Sequence, residues 1–343
     1  GVAGAQVVEN ARELYVQATR RVLEELGQTS KLGDSLQSLL RRLDNRYDRL
    51  EILLAELLPS RDQWLRYLAS GSDADLRRKL ESALERLIGE QLSGVAACLP
   101  DDVTTELVSL LRHGALSAAA PDIAARFAPW LDLSGLPAPT AQSLPAWQAL
   151  PELLLVKAGA WRKQLTANMG FGAEHDSQRR RLRDLIAILQ EQPELQQTLL
   201  STRKLPAPHY EEAQWQTLAA LRVVLRYLTA ELRIVFAERN SVDFVELALA
   251  AQNALGESDA PSDLLLALDR RIQHILVDEF QDTSHTQLRL LKLLTAGWQE
   301  GDGRSLFLVG DPMQSIYRFR NADMSLFLKA KARGIGDVPC ESL

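Results

Sequence analysis

Two short apolar runs, each cut off by an acid, constrain the fold of this chain more than any other feature. His274-Ile275-Leu276-Val277 ends in Asp278-Glu279, and Ser305-Leu306-Phe307-Leu308-Val309 ends in Gly310-Asp311. Uninterrupted apolar runs of this length predict strands of a parallel sheet buried on both faces. Between them Leu288, Leu291, Leu294 and Trp298 recur at helical spacing, and Ser284 with Gln287 forms a capping box that starts the helix. Gly297, Gly301 and Gly303 make the turn back. The expected unit is strand, helix, strand, with a right-handed crossover. Ligands of open parallel sheets bind outside the carboxyl ends of the strands, so both acidic ends face the edge where a ligand is expected.

Upstream of residue 240 the pattern is helix after helix. Leu36, Leu39, Leu40, Leu43, Tyr47, Leu50, Leu53, Leu54, Leu57 and Leu58 follow the spacing of one helical stripe, with charged residues on the other face. Pro59 punctuates it, and Arg61 to Leu68 begins the next helix. Further stripes run from Val7 to Leu26, Leu76 to Ile88, Gln178 to Leu189 and Leu218 to Phe236, separated by loops such as Leu133 to Pro145. No catalytic signature occurs there. The expected class is mostly α with a partial α/β: residues 1–235 a helical domain, and 236–343 an incomplete α/β domain with at least two parallel strands.

Composition excludes several classes. At 343 residues, 46% hydrophobic and 24% charged, this is an ordinary globular sequence with enough chain for two cores. No apolar run approaches the roughly 20 residues of a membrane helix, and no basic-then-apolar leader is visible, so no membrane partner is expected. Cys98 and Cys340 stand far apart without a C-x-x-C pair, which argues against zinc and a disulfide framework and fits a reducing cytoplasm. The histidines are scattered; His274 and His285 flank the first acidic motif without metal-ligand spacing. The net charge of −6 runs against the basic footprint usual in nucleic-acid binders, although a local positive groove would suffice.

An apolar run ending in Asp-Glu resembles a Walker B element, in which the Asp holds Mg²⁺ and the Glu polarises the water that attacks the γ-phosphate. Alone it is unspecific, because strands often end in a solvated acid. The longer strings are specific. Asp278-Glu279-Phe280-Gln281-Asp282-Thr283 is followed by Gly310-Asp311-Pro312-Met313-Gln314-Ser315-Ile316-Tyr317-Arg318-Phe319-Arg320, in order and separated by one helix. Together they closely resemble motifs II and III of the UvrD/Rep-like branch of superfamily 1 DNA helicases. The wording of the second string, with Pro312 after the acid and Phe319 between two arginines, is similar to the RecB/AddA type. Val242-Asp243-Phe244-Val245-Glu246-Leu247 resembles the segment that returns the chain from an inserted helical domain, often called 1B, to the RecA-like motor core. Leu43-Asp44-Asn45 through Arg61-Asp62-Gln63-Trp64-Leu65, Trp161-Arg162-Lys163 and Gly170-Phe171 resemble the inserted domain itself.

The resemblance implies a P-loop NTPase using ATP and Mg²⁺. Asp278 would coordinate the metal, Glu279 would be the catalytic base, and Gln314 would sense the γ-phosphate. Phe319 falls where the family stacks an aromatic ring on a single-stranded base, a sequence-tolerant contact worth roughly 1–3 kcal/mol. Tyr317 and Arg320 flank it, as a DNA or packing partner and as a phosphate or nucleotide contact. Partners implied are single-stranded and duplex DNA and a nuclease partner chain or domain, with 3′ to 5′ movement in double-strand break repair. Read without the resemblance, Tyr317 and Phe319 are core residues under the sheet, and Gln281 and Asp282 cap the following helix. Arg179, Arg180, Arg181 and Arg183 are either a solvated helix face or, by the role the family gives its inserted domain, a duplex-DNA contact.

Two departures stand out. Asn321 occupies the position where the family motif usually has Gly, a mild change because Asn tolerates the left-handed region. No G-x-x-x-x-G-K-[ST] string occurs in the 343 residues, nor do the family's motifs IV to VI. The expectation is therefore an internal piece of a longer helicase, carrying the magnesium-and-water half of the ATP site and inactive alone. The alternative is a non-catalytic DNA- or protein-docking module derived from a helicase; against it, Asp278, Glu279, Gln314 and Arg320 all match the motifs.

Overall fold

A computed structural model describes residues 4–68, 71–192, 194–257, 260–299, 301–311, 324–336, 338 and 340. The chain divides into two compact units, one made of Gly1–Gly71 with Gln214–Leu343 and the other of Ser72–Ala213. This differs from the single boundary expected near residue 235. The first helices and the long helix before residue 240 fall in the same unit as the C-terminal part and bury in one cluster that reaches Val242.

The first unit opens with strand β1 (Gln6–Val7) and helices α1 (Arg12–Leu23), α2 (Lys31–Arg42), α3 (Tyr47–Leu57) and α4 (Arg61–Leu68). The stripe from Leu36 to Leu58, expected as one helix, is two. Asp44 and Asn45 take φ of 54° and 58°, and these short polar side chains are the ones that visit the left-handed region most readily. The apolar period survives the break because Leu36 and Leu39 on one side and Leu50 and Leu54 on the other bury in the same cluster, with Val22 and Leu228.

The second unit is all helical: α5 (Asp73–Cys98), α6 (Thr104–Ser117), α7 (Pro121–Phe127), α8 (Leu144–Leu154), α9 (Asp176–Gln190) and α10 (Leu195–Arg203). Its core gathers Trp130, Trp147, Phe127 and Phe171 with leucines of α6, α8, α9 and α10. Carbonyls at the end of α8 and just beyond it accept from two guanidinium groups. Arg162 donates to Glu152 O and Leu155 O at 2.9 and 2.7 Å, and Arg203 donates to Pro151 O at 2.7 Å. Gly170 sits at φ 86°, where a Cβ would lie 3.1 Å from the Ala118 nitrogen, so a side chain there is opposed by both conformation and space.

Helix α11 (Glu212–Arg239) leads back into the first unit, followed by β2 (Ser241–Val242), which pairs parallel with β1. Next come α12 (Phe244–Leu255), the antiparallel pair β3 (Gly256–Glu257) and β4 (Ala260–Pro261), and α13 (Asp263–Asp269). The expected strand–helix–strand unit follows as β5 (His274–Val277), α14 (His285–Leu294) and β6 (Ser305–Leu308), with α15 (Met324–Arg333) after it. β5 and β6 are parallel, in register from His274 opposite Ser305 to Val277 opposite Leu308. The capping box is formed: Ser284 Oγ accepts from Gln287 N, and Gln287 Oε1 accepts from Ser284 N at 2.8 Å.

The sheet is not buried on both faces, contrary to the sequence expectation. Ile275, Val277, Leu306 and Leu308 pack with Leu288 and Leu291 of α14 and Phe327 and Ala330 of α15. Leu276, Phe307 and Val309 point the other way and are 70%, 50% and 41% exposed. Both covering helices lie on one face, and among the described residues β5 and β6 pair only with each other.

Candidate active site

Asp278 and Glu279 follow directly from the carboxyl end of β5, and both are exposed. Glu279 sits at φ 51°, ψ 40°, left-handed geometry that costs a non-glycine residue roughly 1–2 kcal/mol. Its amide donates to Asp278 Oδ1 at 2.9 Å, which ties the two acids into one turn. A single 3₁₀ turn, Phe280–Asp282, then swings the chain under the strand end. Phe280 is buried, its amide donating to Val309 O at 2.8 Å and its ring 6.1 Å from that of Phe327.

Gln281 fastens the two strand ends together. It is 1% exposed, its Nε2 donates to Glu279 Oε2 at 2.5 Å, and its Oε1 accepts from Asp311 N at 3.0 Å. Gly310 makes the approach possible: a Cβ there would come within 2.3 Å of Gln281 Oε1 and 3.1 Å of the Phe280 and Gln281 nitrogens. The sequence reading of Gln281 as a helix cap is thus corrected, since the cap of α14 is Ser284. Its bridging role cannot be read from neighbouring residues, because it joins Gln281 to Asp311, 30 residues on.

Glu279 and Asp282 also line a cleft of about 1350 Å³ within the first unit, beside Arg12 and Tyr15 of α1 and Asp62 of α4. Glu9, Glu51 and Glu56 add carboxylates to its wall, against Arg12 and Arg20. Such a wall favours a polyanion only when a cation accompanies it. Among the described residues no group of three or more His, Cys, Asp or Glu side chains is placed to hold a metal. Mg²⁺ keeps several waters and needs only one or two carboxylates from a protein. Asp278 and Glu279 offer two exposed ones at the strand end, Asp278 outside the lining of this cleft.

Close to the cleft lies a buried polar network with no counterpart in the motif reading. Arg61, fully buried, donates to Asp243 Oδ2 and Oδ1 at 2.7 and 2.6 Å, to Glu246 at 3.2 Å and to Leu58 O at 3.1 Å. Tyr15 Oη donates to Asp243 Oδ2 at 2.6 Å, and Asp243 Oδ1 caps α12 by accepting from Glu246 N at 2.7 Å. Next along α4, Asp62 accepts from the Thr286 hydroxyl, and Gln252 Nε2 donates to Thr286 O at 2.6 Å. The segments Arg61–Leu65 and Val242–Leu247, read as separate pieces of the helicase pattern, are thereby locked to each other and to α14.

Gln314, Tyr317, Phe319, Arg320 and Asn321 lie outside the described residues. In the arginine cluster of α9, Arg180 pairs with Asp176, and Arg181 makes a two-pronged contact with Glu106 at 2.7 Å; Arg183 is exposed. No helix among the described residues is long and apolar enough to cross a membrane.

Residues 140–333 match the family model described as the UvrD/REP helicase N-terminal domain. Curated relatives include an ATP-dependent helicase/nuclease subunit of Desulfitobacterium hafniense, 38% identical over 114 residues, which is 33% of this chain and 8% of that protein. The protein of the same name from Exiguobacterium sibiricum is 44% identical over 91 residues, 26% of this chain and 8% of the relative. That from Lysinibacillus sphaericus is 43% identical over 103 residues, 29% of this chain and again 8% of the relative. The matches thus span less than a tenth of these relatives.

Proposed function

Because the chain belongs to the UvrD/REP helicase family, we propose that it supplies the magnesium-and-water half of the ATP site in a longer ATP-dependent DNA helicase. The observation that carries this is the pairing of two parallel strands that end in Asp278-Glu279 and Gly310-Asp311, with the strand ends joined by Gln281. Asp278 would hold Mg²⁺, which when bound would supply positive charge for the nucleotide phosphates. Glu279 orients and deprotonates the attacking water. Gln314 reads the γ-phosphate, Arg320 contacts nucleotide or DNA phosphate, and Tyr317 and Phe319 meet the single strand.

The unit Ser72–Ala213 leaves and re-enters the other unit at Gly71 and Gln214, which supports assigning it the 1B-like inserted role. The segment from residue 236 onward, which carries both motifs, is then the partial RecA-like motor domain. The names of the relatives support single-stranded and duplex DNA as substrates and a nuclease module as partner. Double-strand break repair, 3′ to 5′ movement and a cytoplasmic setting belong to the same proposal. The 343-residue chain alone does not turn over ATP, because no phosphate-binding G-x-x-x-x-G-K-[ST] string is present in it.

Magnesium dependence tests the reading. In the longer helicase, Asp278→Asn raises the Mg²⁺ concentration needed for half-maximal ATP turnover by about tenfold or more. An unchanged Mg²⁺ titration removes Asp278 from the metal site.

A further inference from the structure

The motifs assign no role to Gln281, yet it is the most deeply buried polar side chain at the strand ends. Three observations bear on it. Its amide nitrogen donates to the Glu279 carboxylate at 2.5 Å, and its amide oxygen accepts from the Asp311 backbone at 3.0 Å. The orientation of the amide is fixed, because a backbone N–H can meet only the oxygen end and a carboxylate only the nitrogen end. Gly310 leaves no room for a Cβ against that oxygen. Glu279 itself sits in left-handed backbone geometry, a strained conformation that persists only where its surroundings hold it.

We propose that Gln281 is a positioning residue: it holds the Glu279 carboxylate in one orientation and ties that orientation to the backbone at Asp311, where the second motif begins. Glu279 lies on an exposed turn, and without the bridge its side chain has several staggered rotamers open to it. With the bridge, any shift of the chain at Asp311 moves the amide and, with it, the carboxylate. The link thus runs from the start of the second motif to the water-activating acid through one buried side chain. It rests on the proposed role of Glu279 in ATP hydrolysis.

Two substitutions separate positioning from bulk stability. Gln281→Glu keeps the acceptor for Asp311 N but replaces the donor to Glu279 with a second carboxylate. Gln281→Leu removes both bonds while filling the space. In the 343-residue chain, amide hydrogen exchange at Asp311 is expected to accelerate in Gln281→Leu and to stay slow in Gln281→Glu. In the longer helicase, both variants are expected to lower kcat about ten- to a hundredfold, with the KM for ATP within about twofold. In a Glu279→Gln background neither should lower turnover further, since both act through the same carboxylate. Unchanged exchange at Asp311 in Gln281→Leu shows that the bridge is absent and overturns the proposal. So does a loss that appears in KM alone or adds fully to that of Glu279→Gln. If Glu279→Gln itself leaves turnover intact, the ATPase reading fails, while the exchange measurement still judges the bridge.

Discussion

Arg61 and Asp243, 182 residues apart, form a two-pronged ion pair at 2.6 and 2.7 Å with both side chains almost wholly shielded from water. The pair closes the first unit around the excursion through residues 72–213, since Arg61 precedes that segment and Asp243 follows it. Removing one partner leaves a buried charge uncompensated, which typically costs about 3–5 kcal/mol. Arg61→Met and Asp243→Asn are each expected to lower the urea midpoint sharply. Arg61→Met combined with Asp243→Leu should recover a large part, because no charge is then stranded. A single substitution no worse than the double one contradicts the pair's role.

The same network contributes to the pH response of the first unit. Burial disfavours the charged form of Asp243, but hydrogen bonds and charge from Arg61, with Tyr15 and the Glu246 amide, outweigh it and hold the carboxyl below its ordinary value. A depressed carboxyl contributes stability that is present above the unfolded value of about 3.9 and is lost as pH falls through the lower folded value. Tyr15 is pushed up, first by burial and then by the Asp243 charge, so its contribution is complete below about pH 10 and is lost at higher pH. Thermal unfolding between pH 2 and 7 should show a decline below about pH 4 that is smaller in Asp243→Asn. An identical decline in that variant would place the titrating group elsewhere.

The break between α2 and α3 carries its own strain. Asp44 and Asn45 are consecutive left-handed residues, and glycine adopts that geometry without a Cβ penalty. Asp44→Gly is expected to change stability by less than about 1 kcal/mol in either direction, since relief of strain offsets added chain entropy. Asn45→Val, β-branched, should destabilise by about 1–2 kcal/mol. Denaturant melts of the two variants check the contrast, and equal effects would mean that the turn is not held left-handed.

The strand ends were legible because their chemistry is local: an apolar run, an acid and a capping box are all read from neighbours in sequence. Ser284 and Gln287 form the box as their spacing predicts, and β5 and β6 pair in parallel. What was not legible depends on distant partners. The Leu36–Leu58 stripe read as one helix because no Gly or Pro marks its break, and two helices folded against one core keep the same apolar spacing. The sheet read as buried on both faces because Leu276 and Phe307 are apolar, whereas burial is decided by where α14 and α15 land. The Arg61–Asp243 pair and the Gln281 bridge each join residues that no sequence window contains together. Tyr317, Phe319 and Arg320, which the motif resemblance assigns to DNA, fall outside the described residues.

That motif assignment yields a prediction for Phe319. In the longer helicase, Phe319→Ala should weaken single-stranded DNA stimulation of ATP turnover, in line with a stacking contact of roughly 1–3 kcal/mol, and leave DNA-free turnover unchanged. Stimulation equal to wild type would remove Phe319 from the DNA path.

The most direct measurement is single-turnover ATP hydrolysis by the longer helicase carrying Glu279→Gln, read beside equilibrium ATP binding by the same protein. The account predicts that hydrolysis falls by about a hundredfold or more, the scale of general-base loss, while ATP affinity stays within a few fold. Hydrolysis at the wild-type rate would contradict it, as would a loss explained entirely by weaker binding.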